Sequence, residues 1–272
     1  YIVKKAISLG VDPIVAVKAA CHNAARYFLL NNRGAIAPGY LGDFVIIDNF
    51  NDFNIELVYK EGSLMFDHGK LTDFPAPEID PYLSKLAHET FHVSPLSADD
   101  FRDNRPRGVI GMVPGEIITT DAGYSDHIDV ENDVLKIAVI ERHKNTHHIG
   151  VGYIKGYGLK RGAVATSISH DSHNIIVVGA NEEDMAAAAS RVVELNGGIV
   201  VAEDGRITAE VPLAVAGIMS DEPLTVVNEK LEQAKEQTFK VGVSRGIDPF
   251  MTLSFMALNV IPTLRITTRG VY

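Results

Sequence analysis

The sequence predicts an α+β protein, and three observations carry that class. Residues 1–30 hold helical signals, with turn residues at 10–13 between two apolar-periodic stretches. Residues 33–70 change to short β-branched runs separated by Gly- and Asn-rich turns. From residue 93 onward, strand-like runs are interrupted by two long amphipathic stretches, 181–196 and 223–241, without the regular βαβ alternation of a parallel sheet.

In chain order, Tyr1–Leu9 reads as a short amphipathic helix stopped by Gly10. Asp12-Pro13 starts the next, since Asp accepts from free backbone N–H groups and Pro has no N–H to leave unpaired. That helix is expected from Ile14 to about Leu30, with Ile14, Val17, Ala20, Ala24 and Phe28 on one face. His22-Asn23 reads as partly exposed helix polars. Asp43–Asp48, Ile55–Lys60 and Ser63–Phe66 read as strands of a small sheet. Pro75, Pro77 and Pro81 mark a linker over 71–92, with a short helix expected in Tyr82–His92. The organisation expected is therefore 1–32, 33–70, a linker at 71–92, and a domain at 93–272.

In that last domain, Gly108–Thr120 and Val134–Arg142 read as strands. Ile175–Val178 is β-branched throughout and bounded by Gly179, the pattern of a buried strand. Asn181 caps a helix that Gly197-Gly198 ends, and the small residues of Met185–Ala189 let it approach a sheet. Asp204-Gly205 joins Ile199–Glu203 to Arg206–Val211 as a two-residue hairpin. Pro223–Val241 turns Leu224, Val227, Leu231 and Ala234 inward, and Asp248-Pro249 starts a last helix.

The bulk numbers exclude several classes. With 46% hydrophobic and 22% charged residues, 272 residues can bury a sizeable core. The net charge of −10, from 25 basic and 35 acidic residues, argues against nucleic acid or an anionic membrane as partner. No apolar run is long enough for a transmembrane span. Cys21, the single cysteine, precludes an internal disulfide and fits a reducing cytosol. The chain opens on Tyr1 and ends on Tyr272 with no lead-in, which reads as a piece of a longer protein.

The candidate chemistry is concentrated in His170-Asp171-Ser172-His173-Asn174, a polar knot at the mouth of the Ile175–Val178 strand, with His147-His148 upstream. A buried strand holds the backbone still while the side chains before it face a cleft. The five residues supply bases, acceptors, donors and metal ligands. Two further readings stay open: the knot satisfies buried backbone groups, or His147, His148, His170 and His173 form a separate metal site.

Two stretches carry a family resemblance. The first is the helix GVDPIVAVKAACHNAARYF, followed by Gly34-Ala35-Ile36-Ala37-Pro38-Gly39-Tyr40-Leu41-Gly42-Asp43. It resembles the point where the metal-bearing (β/α)8 barrel of amidohydrolases ends and the chain returns to a small β-sandwich; Gly42 stands where Ala is usual. The second comprises Thr146–Gly150, His170–Asn174, Gly246–Met251 and Val260–Thr267, and is similar to the C-terminal domain of bacterial adenine deaminases. The resemblance implies the last helices of a barrel, a β-sandwich segment and an α+β C-terminal domain. It implies conversion of adenine and water to hypoxanthine and ammonia, using hydroxide made by a divalent metal pair that lowers the pKa of bound water to roughly 7. Manganese or iron is expected, with zinc as a further option. The family's ligands are an early His-x-His, a bridging carboxylate, two later histidines and an aspartate; none can be placed in 1–272, so no metal ligand is expected here and the chain alone should be inactive. Within the domain, His170, Asp171 and His173 are the expected catalytic residues, and Asn174, His147 and His148 the expected substrate contacts. Adenine is the expected partner, in a cytoplasmic homo-oligomer. The competing readings are a non-catalytic dimerisation or purine-binding module and part of another amidohydrolase, such as a dihydroorotase or an aminoacylase.

Overall fold

The computed structural model describes residues 1–72, 78–103 and 105–272. The chain divides into two compact units, Tyr1–Glu78 and Ile79–Tyr272. Of the expected linker, Pro75 and Pro77 lie outside the described residues.

The first unit opens with α1 (Ile2–Ser8), and Gly10 leaves it at φ +95°. Asp12 caps α2 (Pro13–Lys18) by accepting the Val15 N–H at 3.0 Å. The helix expected to follow runs without a break from Pro13 to Tyr27, as α2, a π-helical turn at Ala19–Asn23 and α3 (Ala24–Tyr27). Its expected inward face is displaced. Ala16 and Ala25 are buried, while Ile14 and Phe28 are 64% and 69% exposed. The loop carrying Gly34 explains the choice of small residues: a Cβ there would sit 2.7 Å from that of Ala25 and 2.9 Å from the Cys21 carbonyl. Strands β1 (Phe44–Ile47), β2 (Ile55–Lys60), β3 (Ser63–Asp67) and β4 (Lys70–Leu71) form an antiparallel meander in sequence order. Asp43 anchors its entry, accepting from Arg33, from Lys60 at 2.8 Å and from the Glu61 N–H at 2.8 Å.

The second unit begins with α4 (Pro81–His88), capped by Asp80. It is built on one eight-stranded sheet formed by β5 (Arg107–Met112), β6 (Thr119–Ser125), β7 (Val134–Ile140), β8 (Ile149–Lys155), β9 (Ala163–Thr166), β10 (Ile175–Gly179), β11 (Gly198–Glu203) and β12 (Arg206–Pro212). Their spatial order is β12-β11-β9-β10-β7-β8-β5-β6, with only β5 and β8 parallel. The single strand expected over 108–120 is two strands, because Pro114 and Gly115 (φ +76°) turn the chain and Glu116 N–H closes on the Val113 carbonyl at 3.1 Å. β10 lies fully buried between β9 and β7.

Alternation along the strands fills two cores, one on each face. Val139, Ile176 and Val178 point to the face covered by α6 (Leu224–Lys240) and α7 (Pro249–Phe255). Ile140, Ile175 and Val177 point to the face covered by α5 (Glu182–Glu194) and the turn holding Phe101. Along α6 the stripe meets the core from Val227 onward; Leu224, expected inward, sits at the first helical position and stays 79% exposed. A C-terminal hairpin, β13 (Ile266–Thr267) and β14 (Gly270–Val271), lies directly on β8. Two glycines permit that: a Cβ on Gly150 would fall 1.9 Å from the Thr267 carbonyl, and one on Gly152 would fall 2.2 Å from Val271 Cγ2.

Candidate functional site

Strand register gathers the candidate residues at one end of the sheet. Ile175 pairs with Ile140, and Ile140 with Ile149. The loop before β10 and the loop between β7 and β8 therefore emerge side by side. The first carries the knot and the second carries Arg142 to His148.

The β7–β8 loop is organised by Glu141. Its carboxylate accepts from the N–H groups of His143, Lys144 (2.9 Å) and Thr146 (3.1 Å) and from the Thr146 hydroxyl (2.9 Å). Those donors outweigh burial and hold Glu141 below the usual carboxylate range. His147, at φ +55°, turns away from the knot and places Nε2 2.9 Å from Asp100. Asp100 belongs to the capping box that Ser97 forms at the 98–101 turn. His148 is exposed and meets the strand only through its backbone carbonyl, which accepts the Glu141 N–H at 3.0 Å. The two histidines expected at the substrate are thus not on the cavity described below, because the left-handed turn at His147 commits its ring to Asp100.

The knot is tied tightly. His170 N–H donates to the Ser254 carbonyl of α7 at 3.1 Å, and His173 N–H to the Ser169 carbonyl at 2.6 Å. The Asn174 amide donates to the Ser172 hydroxyl at 3.2 Å. Behind it, Arg142 donates to the His173 carbonyl, and His143 Nε2 lies 2.8 Å from the Ser172 carbonyl. The His170 ring packs on Phe255 with centroids 5.0 Å apart and stands 6.3 Å from the His173 ring. His173 takes φ +49°, a sparsely populated region for a residue with a Cβ. Burial, then the positive character of His170 and Arg142, hold its imidazole below the ordinary histidine value, with Asp171 opposing them.

Satisfaction of buried polar groups, the bland account of the knot, fails at three atoms. Ser169 Oγ, His173 Nδ1 and Asn174 Oδ1 are buried without any hydrogen-bond partner among the described residues. Each costs about 1–3 kcal/mol if left unpaired, and a cluster of them calls for a partner, whether ordered water or a bound group. Beside them is a cavity of roughly 350 Å3, within the size range of small-molecule sites. Asp171, Ser172 and Asn174 line it together with Asn259, Thr267 and Thr268, over an apolar floor of Val139, Ala257, Leu258, Val260 and Ile266. Of the residues expected at the site, Asp171 and Asn174 face this cavity, while His170 and His173 sit beside it and are not among its lining residues. Sequence reading missed Arg142, His143 and the C-terminal wall. The one signal for Arg142 was a charged residue directly after a buried strand; the wall was marked only by the resemblance over Val260–Thr267, which gave those residues no role at the site.

No group of three or more His, Cys, Asp or Glu side chains among the described residues is placed to hold a metal ion. The four-histidine metal site is therefore overturned, with His147 committed to Asp100 and His170 to Phe255. The divalent metal implied by the resemblance likewise has no ligand set among the described residues.

Residues 3–65 match the family described as "Amidohydrolase family". The chain is 41% identical over 277 residues to an adenine deaminase of Dehalococcoides mccartyi, covering 99% of this chain and 48% of that protein. Against an adenine deaminase of Petrotoga mobilis it is 40% identical over 282 residues, covering 100% of this chain and 49% of that one. One from Nitratidesulfovibrio vulgaris is 42% identical over 277 residues, covering 98% and 48%. The chain thus spans about half the length of the curated relatives it matches. Residues 116–272, more than half of the chain and including the knot, its cavity and the C-terminal hairpin, match "Adenine deaminase C-terminal domain", and the chain belongs to that family.

Proposed function

We propose that the protein containing these residues hydrolyses adenine to hypoxanthine and ammonia, and that the 169–174 loop forms one wall of its substrate site. The carrying observation is the set of three buried, unpaired polar atoms beside a cavity faced by Asp171 and Asn174. In the reaction a C6–O bond forms and the C6–N bond breaks, so a planar base must be held edge-on while protons reach the departing amine. Asn174 lines the cavity and its Oδ1 has no hydrogen-bond partner among the described residues, so a small reorientation of the amide presents an acceptor to a purine N–H. Asp171 and the neighbouring neutral His173 supply groups that can hold and pass a proton. The apolar floor accepts the faces of the base.

On this reading residues 1–32 continue a barrel, 33–70 belong to a small β-sandwich, and 71–92 link them to the domain at 93–272. The metal, manganese or iron with zinc as a further option, is held by residues outside 1–272, and when bound it supplies hydroxide at neutral pH. The working protein is a cytosolic homo-oligomer. Support comes from the amidohydrolase match, from relatives twice as long, and from the large apolar side chains that the first unit exposes.

The test is turnover. The longer protein with Mn2+ should release ammonia from adenine, and residues 1–272 alone should not. Asp171→Asn and His173→Ala in the longer protein should each lower kcat by about 10² or more, the scale of a lost acid–base group, with little change in melting temperature. Action on adenosine but not adenine would sink the activity assigned. A stable, fully active His173→Ala protein would remove that residue's role.

A further inference from the structure

Arg142 is the least expected residue of the site. It is 2% exposed, yet no carboxylate among the described residues forms an ion pair with it. Every nitrogen of its guanidinium instead ends on neutral oxygen. Nε donates to the His173 carbonyl, Nη1 to the Thr90 carbonyl at 3.0 Å and its hydroxyl at 3.2 Å, and Nη2 to the Ala216 carbonyl at 3.0 Å. Its face lies 4.3 Å from the centre of the Phe91 ring. The surroundings are shaped around it: a Cβ on Gly217 would come 2.6 Å from Phe91 and 3.0 Å from the guanidinium.

Burying a cation is costly even though the Glu141 carboxylate acts on it through space without an ion pair, and an apolar side chain of similar volume would avoid that cost. What only a planar fork of five donors does is fix three chain segments at once. Two of them, at Thr90 and Ala216, are remote from the knot in sequence. The third is the carbonyl of His173, where the backbone is left-handed and the ring nitrogen is unpaired, immediately before Asn174 with its own unpaired oxygen. The guanidinium therefore acts at a residue of the loop whose backbone is left-handed. The geometry points to Arg142 as the positioning residue of the site: it holds the His173 carbonyl from behind, so that Asn174 keeps its setting on the cavity and the His173 ring its setting beside it.

This rests on the activity proposed above, and the experiment separates the two. In the longer protein, Arg142→Lys keeps the charge but cannot span three carbonyls; Arg142→Met keeps the bulk alone. Arg142→Lys should lower kcat by about 10²-fold, the scale of a small misplacement of reacting groups. KM should change by less than about threefold, since the interaction matters in the transition state. Combined with His173→Ala, it should lower kcat no further than His173→Ala alone, within about threefold, because both act through one unit. Amide hydrogen exchange should quicken in residues 169–174. Two effects that multiply in the double variant, or a kcat that merely follows the folded fraction, would overturn the assignment. If the unsubstituted protein fails to deaminate adenine, the activity falls, and exchange alone decides Arg142: unchanged protection of 169–174 rejects it. If neither single variant folds, Arg142 is a structural clamp and the proposal is wrong.

Discussion

His173 combines a left-handed backbone, an unpaired buried ring nitrogen and a carbonyl clamped by Arg142. Its pKa is held below the ordinary 6.5, first by burial and then by His170 and Arg142, with His143 adding to them. The sign of the resulting pH dependence follows. Above about pH 6.5 the ring is neutral in folded and unfolded chains, and it contributes nothing. As the pH falls below that value, the unfolded chain takes up a proton first and stability is lost until the folded ring titrates as well. Asn tolerates positive φ, so His173→Asn removes the titration without adding backbone strain. Melting temperatures of both proteins from about pH 7.5 to about pH 5.5 should show the unsubstituted protein losing more than the variant. A difference between them that does not change with pH would refute this account.

At the scale of elements, α5 shows how one cap serves two structures. Asn181 accepts the Asp184 N–H at 2.7 Å and donates to its carboxylate at 2.8 Å. Asp184 then accepts the Gly205 N–H at 2.7 Å, tying the helix to the β11–β12 turn. That turn has Asp204 at φ +52° and Gly205 at +71°, with Glu203 opposite Arg206, the pairing a two-residue hairpin requires. Asn181→Ala should cost about 1 kcal/mol, an ordinary cap loss. Asp184→Ala should cost more, about 1–3 kcal/mol, because the charge-assisted bond that ties the helix to the Gly205 N–H is lost as well. Urea denaturation would expose the reverse order if the link to the hairpin were idle.

For the second unit as a whole, the decisive contact is the C-terminal hairpin on β8. It supplies Ile266, Thr267 and Thr268 to the cavity, and it can lie there only because positions 150 and 152 have no side chain. Gly150→Ala places a methyl group 1.9 Å from the Thr267 carbonyl and 2.4 Å from the Gly270 nitrogen. Backbone cannot yield as a flexible side chain does, so the hairpin must lift. The expected cost is about 1–3 kcal/mol, as for overpacked cores, with turnover falling further than stability because the cavity wall moves. Denaturation and turnover equal to those of the unsubstituted protein would show that the hairpin does not shape the site.

Features set by chemistry within a few residues were legible in the sequence. Asp12-Pro13, Asp248-Pro249 and Asn181 start helices because each side chain reaches N–H groups two or three positions ahead. Ile175–Val178 is a buried central strand, and Asp204-Gly205 specifies the two-residue turn between β11 and β12. The polar knot was visible because five hydrogen-bonding residues precede such a strand. Where apolar periodicity alone was available, the reading slipped: Ile14, Phe28 and Leu224 are exposed, and the 108–120 run breaks at Pro114-Gly115. Periodicity states that a face is apolar without stating what covers it. Tertiary structure alone decided the rest of the site. Pairing of β10 with β7, and β7 with β8, set Arg142 and His143 behind the knot, and a hairpin nearly a hundred residues downstream in sequence closed the cavity. A left-handed turn sent His147 to Asp100 instead. These are contacts between residues far apart in the chain, fixed by strand register and by two missing side chains, and no short stretch of sequence encodes them.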